Sequence, residues 1–261
     1  MKDAVTLEVR DRVAYLTLNR PEAANALNPA VIHAFRDAAE SLVERDDVGA
    51  VLFTGAGKNF SVGGDLRFMH DAGEDVADAV YGLASTMHAG IVALAELDAP
   101  VISVVRGAAA GGGMSLAISA DLVLAAESAH FTVAYSAIGF STDGGASWTL
   151  PRIVGQRRAM ELALLNERLS AERAAELGIV TRVVADDALD AEAESLAKRL
   201  AAGPIGAHGA IKRLLRYSST SPFGQQLEDE ARTIAGLSAA PDGREGVLAF
   251  LDKRAPHFGE P

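Results

Sequence analysis

Apolar and polar residues alternate between Thr6 and Leu18. Leu7 and Val9, then Val13, Tyr15 and Leu18, predict two short strands joined through Asp11-Arg12. Asn28-Pro29 predicts a helix start, with Asn28 as cap and Pro29 at the first helical position. That helix reaches about Arg45 and carries Ile32, Phe35, Ala39, Leu42 and Val43 on one face. Val48 to Thr54, Val101 to Val105 and Asp121 to Ala125 are short and almost wholly apolar, the pattern of strands covered on both faces. A long helix is predicted over Tyr81 to Leu97, ended by Asp98-Ala99-Pro100. Asp71 to Asp78 is acidic and polar and reads as a mobile loop. Further on, Phe131 to Ala134 is strand-like, Ile138 to Ser147 irregular, and a helical region spans Trp148 to Leu165. Ser170 caps a helix over Ala171 to Leu177 that Gly178 stops, and Ile179 to Val184 is a strand. From Leu189 onward the pattern is helical. The chain therefore reads as an α/β protein, with strand and helix units over 1–188 and a helical C-terminal region over 189–261.

Two glycine clusters interrupt this pattern at the same place in their units. Pro100 to Val105 leads into Gly107-Ala-Ala-Ala-Gly-Gly-Gly113, and a helix-like apolar segment, Met114 to Ala120, follows. Strand, glycines and helix together aim backbone N–H groups at one spot, where an oxygen gaining negative charge is stabilised. Phe60-Ser-Val-Gly-Gly-Asp65 ends the preceding unit in the same way. Two such turns can converge on a single carbonyl oxygen.

Composition narrows the chemistry. The chain has no cysteine, which removes disulfides, zinc-thiolate sites and thiol nucleophiles and points to the cytoplasm. Met1-Lys-Asp-Ala-Val leads straight into a strand pattern without a signal-peptide core. Ala99 to Ala126 is broken by Arg106, glycines and Asp121, so no membrane span is expected. The net charge of −11 disfavours nucleic acid as a partner. The six histidines are scattered without ligand spacing, so no metal site is expected.

Leu18-Asn-Arg-Pro-Glu22 with Asn25-Ala-Leu27, Gly55-Ala-Gly-Lys-Asn-Phe-Ser-Val-Gly-Gly-Asp65, Gly107 to Gly113, Ser119-Ala-Asp121, Leu150-Pro-Arg-Ile-Val-Gly155, Ala174-Ala-Glu-Leu-Gly178 and Phe250-Leu-Asp-Lys-Arg254 occur in order along nearly the whole chain. In these motifs the chain resembles the enoyl-CoA hydratase/isomerase (crotonase) superfamily. The resemblance implies a crotonase-like spiral of ββα units with a helical C-terminal trimerisation region, assembled as a homotrimer or a dimer of trimers. It implies an acyl-CoA thioester substrate, with coenzyme A entering as part of that substrate and no permanently bound cofactor. It implies an oxyanion hole made by the N–H groups of Gly64 and Gly112. It also implies substrate contacts at the backbone of Ala24, Ser61 and Val62, at Asp65, and at the basic side chains of Arg67 and Lys253.

The same resemblance separates this chain from the ordinary hydratases. Those enzymes place two glutamates around a water, and here the corresponding positions hold Ser115 and Tyr135. Neither residue is a natural acid or base near neutral pH. Asp143, in Ile138-Gly-Phe-Ser-Thr-Asp143-Gly-Gly145, occupies the position of the aspartate in the branch of the phenylacetate-pathway ring-epoxide isomerase and 4-chlorobenzoyl-CoA dehalogenase. One carboxylate suffices to move a proton between two carbons of an enoyl thioester, so the resemblance favours an isomerase, with Asp143 catalytic and His88 and Tyr135 shaping the acyl end. Enoyl-CoA hydration, aryl-CoA dehalogenation and acyl-CoA binding without turnover are the alternatives.

Overall fold

A computed structural model describes residues 3–259. Val5–Arg10 (β1) and Val13–Leu18 (β2) form the expected hairpin, with Val5 opposite Leu18. Asp11 and Arg12 between them have φ of 50° and 61°, a turn whose twist matches that of the flanking strands. The remaining strands are Ala50–Gly55 (β3), Val101–Val105 (β4), Ala108–Ala110 (β5), Leu122–Ala126 (β6), His130–Thr132 (β7), Leu169–Ser170 (β8) and Arg182–Val184 (β9). One sheet has the order β1-β2-β3-β4-β6-β9, parallel from β2 onward, and a smaller one has the order β5-β7-β8. β4 passes into β5, and β6 into β7, so each unit crosses from one sheet to the other before its helix returns. This is the expected spiral of ββα units.

The helices are Pro29–Val43 (α1), Leu66–Asp71 (α2), Val76–Glu96 (α3), Gly112–Ile118 (α4), Ala146–Val154 (α5), Gln156–Leu165 (α6), Ala171–Glu176 (α7), Leu189–Ala201 (α8), Ile205–Ser218 (α9), Phe223–Ala239 (α10) and Pro241–Leu251 (α11). Asn28 caps α1 as its sequence predicts, accepting the Val31 N–H at 3.0 Å. Ser170 caps α7 in the same way through Arg173.

The acidic stretch Asp71 to Asp78 differs from its expected loop. It holds the end of α2, a 3-10 turn over Gly73–Asp75 and the first turn of α3. Acidic side chains next to a helix N-terminus are stabilised by its positive dipole end, so this composition also suits a helix start. The helical region predicted from Trp148 begins earlier, at Ala146, and divides at Gly155, whose φ of 78° and ψ of 154° cannot continue a helix.

The core lies between α1, α3 and the large sheet. Phe35 stacks on Phe53 with centroids 5.4 Å apart, and Phe60 meets Phe53 edge-on at 5.2 Å. All three are buried, and burying each contributes about 2–3 kcal/mol. Phe60 thereby anchors the start of the first glycine motif to the core. α8 also packs on the sheet: a Cβ on Gly49 would lie 2.8 Å from the Ala201 backbone. α9 is tied to the core by Lys212, whose ammonium donates to the Ala99 carbonyl at 2.9 Å and pairs with Asp121 at 2.8 Å. Burial pulls the Lys212 ammonium below its ordinary range, and Asp121 opposes that fall. Among the described residues, no helix is long and apolar enough to cross a membrane.

Candidate active site

The two glycine motifs meet through backbone. Ser61 bridges Ala109 in parallel fashion, its N–H donating to Ala108 O at 3.0 Å while its carbonyl accepts from Ala110 N–H at 3.0 Å. Leu27 bridges Gly64: Leu27 N–H donates to Gly63 O at 2.8 Å, and Leu27 O accepts from Asp65 N–H at 3.0 Å. Gly63 has a φ of 90°, and a Cβ there would sit 2.7 Å from Ala110 O and 3.2 Å from Gly112 N. Only glycine allows this approach. Gly64 N–H and Gly112 N–H donate to no described backbone group, and both glycines border the same cavity. Gly112 opens α4, where backbone N–H groups have no partner within the helix.

Asn25 holds the surrounding loops. It is wholly buried, with a φ of 55°. Its amide donates to Ala56 O at 3.0 Å and to Asn59 O at 2.8 Å, and its Oδ1 accepts the Arg20 N–H at 2.9 Å. Ser61 Oγ donates to Asn25 O at 2.8 Å and accepts the Gly63 N–H at 3.2 Å. The sequence marked Asn25 only as part of a motif. Its use as a hub depends on loops 31 and 34 residues away.

The cavity has a volume of about 670 Å³. Leu27 and Ile32 line one part, Leu66 and Met69 of α2 another, and Val76, Val80, Leu83 and Met87 of α3 a third. The wall is therefore aliphatic and Met-containing, which adapts to irregular apolar groups. Of its aromatic side chains, Tyr81 and Phe140 are exposed, at 77 % and 41 %, and Tyr135 reaches inward. Asp143 is the only carboxylate among the lining residues. It stands close to Gly112: a Cβ on Gly112 would lie 4.0 Å from Asp143 Oδ1 and 3.8 Å from the Tyr135 hydroxyl.

Tyr135 donates a hydrogen bond to Asp143 Oδ1, and its hydroxyl lies 2.9 Å from Ser115 Oγ. Burial, and then the neighbouring Asp143 carboxylate, push the Tyr135 phenol far above its ordinary range, so it stays protonated. Ser115 is buried on α4 beneath the loop. Gly144, at φ +58°, makes room for it, since a Cβ there would lie 2.7 Å from Ser115 Cβ.

Other expected site residues fall differently. His88 is absent from the cavity wall, and its Nε2 accepts the Gly144 N–H at 3.0 Å. His88 thus fixes the loop beside Asp143. Asp65 caps α2 through the Arg67 N–H at 3.3 Å and pairs with Arg20 at 3.3 Å. The N–H groups of Ala24, Ser61 and Val62 are engaged by Pro21 O, Ala108 O and Ala24 O. The Ala24 and Ser61 carbonyls are engaged as well, by the Val62 and Ala110 N–H groups, which leaves the Val62 carbonyl of the three as the one without a backbone donor. Arg67 is on α2, next to the cavity-lining Leu66, while Lys253 follows α11, away from the lining residues. Among the described residues no group of three or more His, Asp or Glu is arranged to hold a metal.

The glycine turns of two ββα units thus leave two backbone N–H groups, Gly64 and Gly112, without a described backbone acceptor on one largely apolar cavity. Residues 8–261 match the family model for enoyl-CoA hydratase/isomerase. The chain is 41 % identical over 262 residues to the 1,2-epoxyphenylacetyl-CoA isomerase of Escherichia coli K12, covering 99 % of both proteins. It is 32 % identical to 4-chlorobenzoyl coenzyme A dehalogenase-2 of an Arthrobacter species, over 95 % of this chain and 91 % of the relative. The crystal structure of an enoyl-CoA hydratase from Polaromonas sp. JS666 superimposes with a TM-score of 0.93 at 34 % identity, covering 98 % of this chain and 99 % of that one. The chain belongs to the enoyl-CoA hydratase/isomerase family.

Proposed function

We propose that the protein is an enoyl-CoA isomerase that shifts a double bond along the acyl chain of a coenzyme A thioester. The observation that carries this reading is the solitary carboxylate: Asp143 lines the cavity beside Gly112, and hydroxyls stand at Ser115 and Tyr135. Asp143 takes a proton from Cα of a 3-enoyl thioester. The electron pair moves onto the thioester oxygen, giving a dienolate that the Gly64 and Gly112 N–H groups stabilise. Removing one such donor costs roughly 3–4 kcal/mol in related acyl-transfer sites. The Asp143 carboxylic acid then returns the proton to Cγ, and the double bond ends conjugated with the carbonyl. No water is consumed, so a second acid is not needed.

The coenzyme A portion runs along the backbone at Ala24, Ser61 and Val62, with Arg67, next to the cavity-lining Leu66, toward its phosphates; Lys253, which lies away from this cavity, is kept as a phosphate contact on the resemblance alone. An apolar acyl group fits the aliphatic wall better than it fits a tight aromatic cage, because two of the three aromatic side chains are at the exposed rim. This favours isomerisation over attack on an aryl ring. The helical region is read as a trimer-forming surface, since Phe223, Ile234, Phe250 and Leu251 are each about 70 % exposed or more. A cytoplasmic home completes the reading.

The test follows conversion of a 3-enoyl-CoA into the conjugated 2-enoyl thioester by wild type and by Asp143→Asn. Conversion that falls by about a hundredfold or more in the variant supports Asp143 as the proton shuttle. Unchanged turnover in Asp143→Asn overturns it.

A further inference from the structure

We infer that Tyr135 is a positioning residue that clamps one oxygen of Asp143 and leaves the other to the substrate. The inference rests on the reading of Asp143 as the proton shuttle. Its basis is a run of three hydroxyl and carboxyl groups from three separate parts of the chain. Ser115 comes from α4, Tyr135 precedes the 3-10 turn Ser136–Ile138, and Asp143 is on the loop before α5.

The direction of the hydrogen bonds follows from counting protons. A tyrosine hydroxyl has one hydrogen, and Asp143 as a carboxylate only accepts. Tyr135 therefore donates to Asp143 Oδ1, and its oxygen is left to accept from Ser115 Oγ at 2.9 Å. The alternative acceptor for Ser115, the Gly111 carbonyl, is farther at 3.3 Å. Ser115 is buried and cannot turn to water, so it holds the phenol oriented toward the aspartate. No described side chain or backbone group hydrogen-bonds Asp143 Oδ2, which leaves that oxygen for the proton in transit.

The clamp addresses a geometric need. A base must be held within a few tenths of an ångström of the carbon it deprotonates, and a carboxylate on a glycine-flanked loop has two soft torsions. Gly144 and Gly145, both at positive φ, follow Asp143. Two side-chain hydrogen bonds from other elements restrain this loop: His88 through the Gly144 N–H, and Tyr135 through Asp143 itself. The groups facing Asp143 are therefore Tyr135, with Ser115 behind it, and His88 from α3 at the adjoining residue. Tyr81 is the one other titratable side chain on the cavity wall.

The experiment combines turnover with a readout that does not need turnover. Tyr135→Phe keeps the ring and its packing but removes the donor. The expected kcat is lower by about tenfold to a hundredfold, the range for one hydrogen bond to a charged group, with KM for the thioester nearly unchanged. In an Asp143→Asn background the same change is expected to have little further effect, because both substitutions disable one unit. A Tyr135→Phe variant with wild-type kcat, or one whose effect multiplies fully with that of Asp143→Asn, overturns the clamp. Independently, ring-labelled tyrosine gives a phenol C–O infrared band assigned by its loss in Tyr135→Phe. That band is expected to shift in Asp143→Ala, and an unshifted band overturns the proposal whatever the activity. If the band shifts but wild type converts no 3-enoyl-CoA, the clamp stands and the isomerase reading fails.

Discussion

Gly113 presses against Ser61 so closely that a Cβ on the glycine would sit 2.3 Å from the Ser61 carbonyl oxygen and 2.7 Å from its Cβ. The two turns that border the cavity are thus locked together by a contact that only hydrogen at Gly113 permits. Gly113→Ala is expected to force them apart. Overpacking of this kind costs about 1–3 kcal/mol, and the convergence of Gly64 and Gly112 is lost with it. A lower thermal midpoint together with turnover reduced by about a hundredfold is expected, checked by calorimetry and the 3-enoyl-CoA assay.

Asn25 is expected to tolerate no acid. Asn25→Asp keeps size and left-handed backbone but replaces an amide donor with a carboxylate facing Ala56 O and Asn59 O. Losing two buried hydrogen bonds and adding a buried charge is expected to cost about 3 kcal/mol or more. Urea denaturation of the variant against wild type measures this as a lower midpoint.

His88 is expected to matter as an acceptor. His88→Phe leaves the buried Gly144 N–H without its 3.0 Å partner, which costs about 1–3 kcal/mol of stability and loosens the loop carrying Asp143. A kcat lower by about tenfold is expected in His88→Phe. His88→Gln, which offers an amide oxygen, is expected to recover part of it. Parallel stability and kcat measurements on the two variants check this.

The end of the chain is expected to loosen in acid. Arg254 holds Glu245 at 2.6 and 2.8 Å, and the His257 N–H adds a bond at 2.8 Å. The Arg254 hydrogen bonds, then the His257 N–H, pull the Glu245 carboxyl down to about 2. A carboxyl lowered on folding stabilises the fold fully above its unfolded value near 4.5 and loses that contribution as pH falls toward about 2. Glu245→Gln is expected to flatten the thermal midpoint against pH between those limits, and an unchanged acid slope counts against the contact.

Much of this arrangement was legible in the chain. The caps at Asn28 and Ser170 are local, because a side chain and the N–H three residues on are set by the same turn. The strand Val101–Val105 was readable because it is covered on both faces and so is apolar throughout. The short strands β5 and β8 were not: three and two residues carry no periodicity, and they exist because β7 pairs with both. The acidic run at Asp71 to Asp78 misled because charged residues suit both an open loop and the start of a helix.

The sequence by itself determined the hairpin, the alternation of buried strands and helices and the two glycine turns. These follow from near-neighbour chemistry: periodicity, caps, and the backbone freedom of glycine. Only the tertiary structure decided what the remaining polar residues do. Ser115, Tyr135 and Asp143 are 20 and 8 residues apart, and His88 meets Gly144 across 56 residues. Hydrogen bonds act over about 3 Å and depend on direction, so partners this far apart in sequence are paired only after the core has packed the elements that carry them.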